Sequence, residues 1–467
     1  MDEQEIIRKE LQHKRSDYVH FDYRESLNEK VWNYITDPAK ISKHAFYPFL
    51  HFTLEEPRLK IKDGKIDRTP KTRDILFAAH RDSWIYRYYG TLLNNSYNLC
   101  AQRHHFSRVS IAYRNCRKGK SNIDFAEDAF HFLISHGPCY VIIGDFTHFF
   151  DYIDHDYLKK CICRVLDQEF LPKDYYQVFK SVTSYSYVES SAIQKYTGLT
   201  PKELSQKKTI LDSADFRKLS RSRRTDTDEF YIKKNHKSYG IPQGSPMSGV
   251  LANIYMIEYD QEIKKLVASY GGYYRRYSDD FIILLPAGKN IAEEQFNLIK
   301  AKLRELFQRK GRDGKTFLVK LSPEKTQVYF YTAQHIVVNL KQKDNTHSKI
   351  NFLGFSFDGK HITIRDKTVN RYYTRLYRKL RTIARHKGII HGRRTKCSEL
   401  YREYSIKGAS LREYHSRKKG NFITYAVRAK RKFSRQLNAQ NRTGIVKTRH
   451  MTKIRRGIDK AFNGVYL

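Results

Sequence analysis

Asp279 and Asp280 stand side by side in the stretch Arg276-Tyr277-Ser278-Asp279-Asp280-Phe281. Tyr273-Tyr274 precede them and the apolar run Phe281-Ile282-Ile283-Leu284-Leu285 comes after. These flanks predict two short β-strands with the acidic pair at a tight hairpin turn. Adjacent carboxylates repel, so the pair calls for a compensating cation, and Mg²⁺ takes carboxylate oxygens readily. An ordinary acidic surface turn has the same local appearance. A third carboxylate bears on the choice. The run Cys139-Tyr140-Val141-Ile142-Ile143-Gly144 reads as a buried central strand, and it ends in Asp145. A carboxylate at the end of such a strand loses hydration unless a cation or hydrogen bonds replace it.

The elements that must position these groups lie on both sides of them in the chain. Residues 1–60 read as polar and aromatic helices with loops. Lys71 and Arg73 precede an amphipathic run from Ile75 to Tyr86. Ser110 to Arg114 leads to the basic turn Arg117-Lys118-Gly119-Lys120-Ser121, and a helix is expected from Ile123 to Leu133. Lys/Arg around a Gly turn suit a triphosphate, and a solvated basic loop looks the same. Phe149-Phe150-Asp151 comes after the central strand, with a helix opening near Asp154. Residues 165–236 read as an insertion, with a capping-box helix start at Thr200-Pro201-Lys202-Glu203. The basic, Ser-rich run Arg217 to Arg224 fits a nucleic-acid contact or a mobile loop. Tyr239-Gly240-Ile241-Pro242-Gln243-Gly244-Ser245-Pro246 is a rigid loop opening onto an apolar helix. An amphipathic helix is expected over 291–309. Phe317-Leu318-Val319, Leu321 to Thr326 and Ile350 to Phe357 come next, and Asp358-Gly359 predicts a hairpin before His361-Ile362-Thr363-Ile364. Beyond 366 two helical stripes stand out, Val369/Tyr372/Tyr373/Leu376/Leu380/Ile383 and Phe422/Ala426/Ala429/Phe433/Leu437. Residues 438–467 show no clear stripe.

Composition narrows the partner. The 467 residues carry 88 Lys+Arg against 49 Asp+Glu, a formal net charge of +39. That excess points first to nucleic acid and second to an anionic surface. Residues 371–467 hold 28 Lys/Arg against 4 Asp/Glu, so most of the excess lies there. Thirty-five Tyr and 27 Phe, interleaved with basic residues, suit base stacking. The six Cys have no zinc-ligand spacing and read as free thiols of a reducing compartment. Met1-Asp2-Glu3-Gln4-Glu5 does not read as a signal peptide, and no apolar run reaches membrane-spanning length. The expectation is a cytoplasmic protein with no membrane partner.

Taken in order, these segments resemble the fingers and palm of a reverse transcriptase. The fingers matches are Lys71 to Arg73, and Arg114 with the Lys118–Lys120 turn. The palm matches are Asp145 to Phe150, Gln243-Gly244-Ser245-Pro246, Tyr277-Ser278-Asp279-Asp280, Leu321 to Thr326 and Phe352-Leu353-Gly354-Phe355. The resemblance covers roughly 70–365 and implies an α+β right-hand polymerase: fingers and palm of antiparallel sheet plus helices, with a basic helical thumb. The implied divisions are an N-terminal helical extension over 1–60, fingers 61–138, palm 139–365 with the insertion, thumb 366–437 and a basic tail 438–467.

The resemblance also implies a chemistry, nucleotidyl transfer with two Mg²⁺ ions, for which Mn²⁺ can substitute. Asp145, Asp279 and Asp280 would hold the metals, with the backbone carbonyl of Phe146. Lys71, Arg73, Arg114, Phe150, Gln243 and Lys325 would bind the nucleotide. Phe150 lies where the family places an aromatic that excludes a ribose 2′-OH, which implies dNTP substrates and a DNA product. Phe352, Leu353 and Gly354 would grip the primer. Ser278 departs from the Ala usual in intron- and retron-type members. The pattern looks most like stand-alone bacterial defence-associated reverse transcriptases, which act with a structured noncoding RNA as template. An intron-encoded or retron-type enzyme, a non-catalytic RNA-binding protein on the same fold, and an RNA-synthesising polymerase are the alternatives. Arg428, Lys430, Arg431 and Lys432 are the expected RNA anchor. Tyr466 is a candidate protein primer or a docking aromatic, and a homo-oligomer is left open.

Overall fold

The computed structural model describes residues 3–12, 18–56, 60–62, 65–67, 69–221, 231–288, 293–306, 319–341, 348–390, 392–408, 420–434, 439–444, 446 and 449–463. The fold is α+β, built on antiparallel sheets with helices on both sides. Its palm is a six-stranded sheet. The strand order is Val337–Asn339, Gln327–Tyr331, Cys139–Thr147, Asp280–Pro286 and Tyr273–Tyr277, and Lys320–Leu321 also pairs with Cys139–Thr147.

The expected central strand is central, and its apolar run serves two cores. Side chains alternate across a strand. Cys139 and Val141 face one apolar cluster, while Ile142 and Phe146 face the other. Asp280–Pro286 does the same, with Ile282 and Leu284 on the first side and Phe281, Ile283 and Leu285 on the second. Packing between the two strands is tight at Gly144, where a Cβ would fall 2.2 Å from the Phe281 ring. The second side is backed by His80–Arg103, His155–Leu166, Ser248–Tyr255 and Ile257–Ala268. The first side carries Asn122–Ser135 and the C-terminal helices.

The fingers sheet departs from the expected divisions. Its order is Lys71–Phe77, Phe49–Glu56, Ser186–Glu189, Lys233–Lys234. Phe49–Glu56, expected within a helical extension, is a strand antiparallel to Lys71–Phe77, from Leu50↔Phe77 to Glu56↔Lys71. Residues 165–236, expected as an insertion, supply the next two strands, and Phe49–His51 runs parallel to Tyr187–Glu189. Val178, Phe179 and Val182 of the same segment lie in the main core. The Thr200/Glu203 capping box forms as read.

The first thumb stripe is buried as expected, and the second is buried at Ala426, Ala429 and Phe433 with Ile423 in place of the half-buried Phe422. Asp366–Arg385 buries Val369, Tyr372, Tyr373, Leu376, Leu380 and Ile383, and Phe422–Phe433 buries Ile423, Ala426, Ala429 and Phe433. Each such side chain contributes about 1.5–3 kcal/mol when large and fully enclosed. The tail differs from the reading. His450–Phe462 is a helix whose Ile454, Ile458, Ala461 and Phe462 are buried. It crosses Asp366–Arg385 closely, since a Cβ on Gly457 would lie 2.8 Å from Leu380. Leu437, Phe317, Leu318, Ser222 to Arg224 and Tyr466 lie outside the described residues. No helix among the described residues is long and apolar enough to cross a membrane.

Candidate active site

The three carboxylates meet at one end of the palm sheet. Asp145 and Asp280 are direct partners in the register of their two strands. By alternation both point to the side of the thumb, with Val141 and Ile282. Tyr277 pairs with Asp280, leaving Ser278-Asp279 as a two-residue turn. Ser278 takes φ 60°, the left-handed backbone that mirror-image hairpin turns place at this position. The Phe146 amide donates to the Asp279 carbonyl at 3.3 Å, so the Phe146 backbone lies at the same end.

The electrostatics arise from this crowding. Burial and then the Asp145 charge raise the pKa of Asp279. Asp280 opens onto the cleft, yet protein packed around it withdraws water from its carboxyl. That desolvation, then Asp279 and Asp145, push it up to about 7, against the pull of Lys325 and Arg365. Lys325 forms an ion pair with Asp145.

Three hard oxygen donors crowded so closely that the pKa values of Asp279 and Asp280 rise fit divalent cations. Among the described residues no three acidic, His or Cys side chains already stand in ion-holding geometry. To share an ion the carboxylates would have to draw together, and Lys325 would have to release Asp145.

Beneath the turn lies a polar network that the sequence reading missed. Arg276 and Asp260 are both fully buried and pair at 2.6 Å. Arg276 Nε donates to Asp260 Oδ1 at 2.9 Å, and Tyr274 OH donates to the same oxygen at 2.8 Å. Arg276 Nη1 donates to the Ser278 carbonyl at 2.9 Å and to Asn253 Oδ1 at 3.2 Å. Asn253 in turn donates to the Ala112 carbonyl at 2.9 Å. Through Ser278 the buried guanidinium holds the backbone of the acidic turn.

The nucleotide-binding set divides. Gln243 Nε2 donates to Asp151 Oδ1 at 3.0 Å, and the Ile241 amide donates to the Phe150 carbonyl at 3.0 Å, which brings Phe150 and Gln243 together. Phe150 is half-buried against Phe149. The Leu76 amide donates to the Gln243 carbonyl at 2.7 Å, docking the strand that carries Lys71 and Arg73 on this loop. Gly244 makes that contact possible: its φ is 112°, and a Cβ would lie 2.8 Å from the Leu76 carbonyl. Lys71 and Arg73 are exposed. Arg114 does not join them. It is buried, with hydrogen bonds to Asn98, to the Ser107 carbonyl at 3.0 Å and to the Ser110 carbonyl at 3.2 Å. The expected phosphate contact is therefore corrected: its guanidinium is taken up in bracing the 107–110 loop.

The expected primer grip is the two-residue turn between Ile350–Phe352 and Phe355–Phe357. Leu353 and Gly354 take φ 46° and 91°, so both central residues are left-handed. Asn122 Nδ2 donates to the Leu353 carbonyl at 2.9 Å and to Tyr425 OH at 3.0 Å, tying this turn to the thumb. The Arg365 amide donates to the Gly354 carbonyl at 3.0 Å, while its side chain acts on Asp280. Neither Asn122 nor Arg365 was anticipated. Of the expected RNA anchor, Arg428, Lys430 and Arg431 are exposed, whereas Lys432 pairs with Asp124 at 3.2 Å and joins thumb to palm.

A profile of the reverse transcriptase (RNA-dependent DNA polymerase) family matches residues 84–357. The chain belongs to that family, a class of RNA-directed DNA polymerases and so of nucleotidyltransferases. No curated protein matches it. Among solved structures, apo telomerase from Candida tropicalis truncated from its C-terminal domain is similar at 12% identity and TM-score 0.37, over 70% of this chain and 57% of that one. Telomerase from Candida albicans with the TWJ fragment of telomeric RNA gives 14% and 0.36, over 92% and 65%. Apo telomerase from Candida tropicalis gives 11% and 0.39, over 98% and 72%. The chain thus spans less than two thirds of the first two, and similarity this slight has no bearing on its partners.

Proposed function

We propose that this protein copies an RNA template into DNA from dNTPs, with Asp145, Asp279 and Asp280 as metal ligands. The observation that carries the reading is the register that sets Asp145 opposite Asp280 with Asp279 in the adjoining turn. Bound Mg²⁺ would lower the pKa of the primer hydroxyl and hold the triphosphate. The chain's own residues do the rest. Lys325, Lys71 and Arg73 neutralise phosphates, Phe150 screens the sugar, and the Leu353-Gly354 turn seats the primer end. The test is incorporation of labelled dNTPs on an RNA template, with and without EDTA. Activity on DNA templates alone would refute RNA direction.

The finer reading is a structured noncoding RNA template and an antiphage role in the bacterial cytoplasm. It is supported by the resemblance to stand-alone defence enzymes. Sequencing the RNA and DNA that co-purify with the protein tests the template. Plaque counts in a host carrying the wild type or Asp279→Asn test the role, and equal counts would remove it.

Two expected results rest on the placement of particular side chains. Phe150→Ala opens space beside the sugar, so the ratio of rNTP to dNTP incorporation should rise. An unchanged ratio in an active variant would make Phe150 a packing residue only. Replacing Arg428, Lys430 and Arg431 with Gln should weaken RNA binding and flatten its salt dependence. Each lost phosphate contact removes about 0.7–0.9 from the log–log slope. Salt titrations that overlay the wild type would place the anchor elsewhere.

A further inference from the structure

A recess of about 730 Å³ lies between the edge strand Tyr273–Tyr277 and the helix Asn122–Ser135. It takes in Arg117 and Lys120 of the basic turn, and the polymerase reading gives the recess itself no role. Arg108, Arg117, Lys120 and Arg275 line it, against the carboxylates of Glu127 and Asp128. His131 and His136 also face it, and with four cationic side chains against two carboxylates its charge is positive at neutral pH. Phe125, Phe132 and Tyr273 form an aromatic wall.

Two donors in the lining are buried without a partner, the Tyr273 hydroxyl and Arg117 Nε. Tyr273 is only 8% exposed. Arg117 Nη2 is engaged with the Ser107 carbonyl at 2.7 Å. Arg275 Nη1 is engaged with the Tyr274 carbonyl at 2.7 Å, and its guanidinium lies 4.2 Å over the Tyr273 ring. Burial lowers the pKa of Arg117 and of Arg275, and neighbouring arginines add to both shifts.

These groups ask for one kind of ligand. Guanidinium, ammonium and phenol donors converge with cations in excess, so an acceptor rich in oxygen and negative charge satisfies them together. The volume is far larger than a bare phosphate and falls in the range of small-molecule sites. Aromatic faces beside arginines suit a nucleobase. By alternation Tyr273 and Arg275 share a face with Tyr277, the partner of Asp280. Arg275 lies two residues along the edge strand from Tyr277, about 7 Å at strand rise. The recess therefore adjoins the catalytic turn and is offset from it.

We propose that this recess is a second, non-catalytic nucleotide site, with phosphate on Arg108, Arg117, Arg275 and the Tyr273 hydroxyl and the base on the aromatic wall. Its occupant is one nucleotide, whether free or a unit of a bound strand. The site stands whether or not the cleft polymerises.

The test uses full-length protein carrying Asp279→Asn in EDTA, which removes metal-dependent binding in the cleft. One arm is irradiated with 8-azido-dATP, the other with a single-stranded oligonucleotide bearing 4-thiothymidine. Peptides are mapped by mass spectrometry. Adducts are expected on peptides containing Phe132 or Tyr273. They should fall about tenfold in Arg108→Gln/Lys120→Gln, both exposed positions, and in Tyr273→Phe, which keeps the ring. Labelling by the free nucleotide assigns a mononucleotide site, and labelling by the oligonucleotide alone assigns a strand unit. Adducts absent from these peptides, or undiminished in both variants, would overturn the site.

Discussion

Asp279→Asn and Asp145→Asn are each expected to abolish dNTP incorporation while leaving the protein folded. Losing one ligand from a three-carboxylate set removes several kcal/mol of transition-state stabilisation, a loss of more than about 10³-fold in rate. Neither change should cost appreciable stability. Asp279 has a raised pKa because burial and Asp145 disfavour its charge. A neutral isostere relieves that strain, so the Asp279→Asn melting temperature should match or exceed the wild type. Asp145→Asn gives up the pair with the well-exposed Lys325, which is worth little, and removes a charge that disfavours ionised Asp279 and Asp280. Incorporation near the wild-type rate by either variant would remove the metal-ligand assignment. Loss of activity together with a lowered melting temperature would show damage to the fold instead.

The second large effect concerns the network below the turn. Arg276→Met leaves the Asp260 carboxylate buried without its cation, since both groups are fully enclosed. Breaking such a pair costs about 3–5 kcal/mol. The Ser278 carbonyl also loses its donor, so incorporation should fall along with the melting temperature. Replacing both partners, as Arg276→Met with Asp260→Leu, should recover much of the stability, because no lone charge is left inside. Activity should not recover with it, because the Ser278 carbonyl still lacks its donor. A single variant that melts like the wild type would mean that water reaches Asp260.

What the sequence made legible was local. The acidic turn announced itself by its apolar flanks, and Asp145 by the strand it ends. The Asp358-Gly359 hairpin also forms, with Asp358 Oδ1 accepting from the Lys360 and His361 amides at 2.9 and 2.7 Å. What stayed hidden depends on contacts between distant residues. An arginine has the same symbol whether it meets phosphate or the interior, and Arg114 was assigned to the wrong one. Asn122 reaches Leu353 across 231 positions, and no local pattern marks such a pair. Phe49–Glu56 was passed over because aromatic residues precede it and its far end is charged and exposed. The last helix could have been found: Ile454, Ile458, Ala461 and Phe462 recur at helical spacing, hidden among basic residues.

The parallel pairing of Phe49–His51 with Tyr187–Glu189 also bears on how the chain acquires its shape. During synthesis the Phe49–Glu56 strand can find Lys71–Phe77 at once, but its other edge waits until some 130 further residues have emerged. Closing so distant a contact is slow, and the waiting edge is a template for pairing with other chains. Fragments cut before Ser186 should therefore collect in the insoluble fraction. The fingers sheet, though begun before the palm, is completed only by strands made after the central strand of the palm.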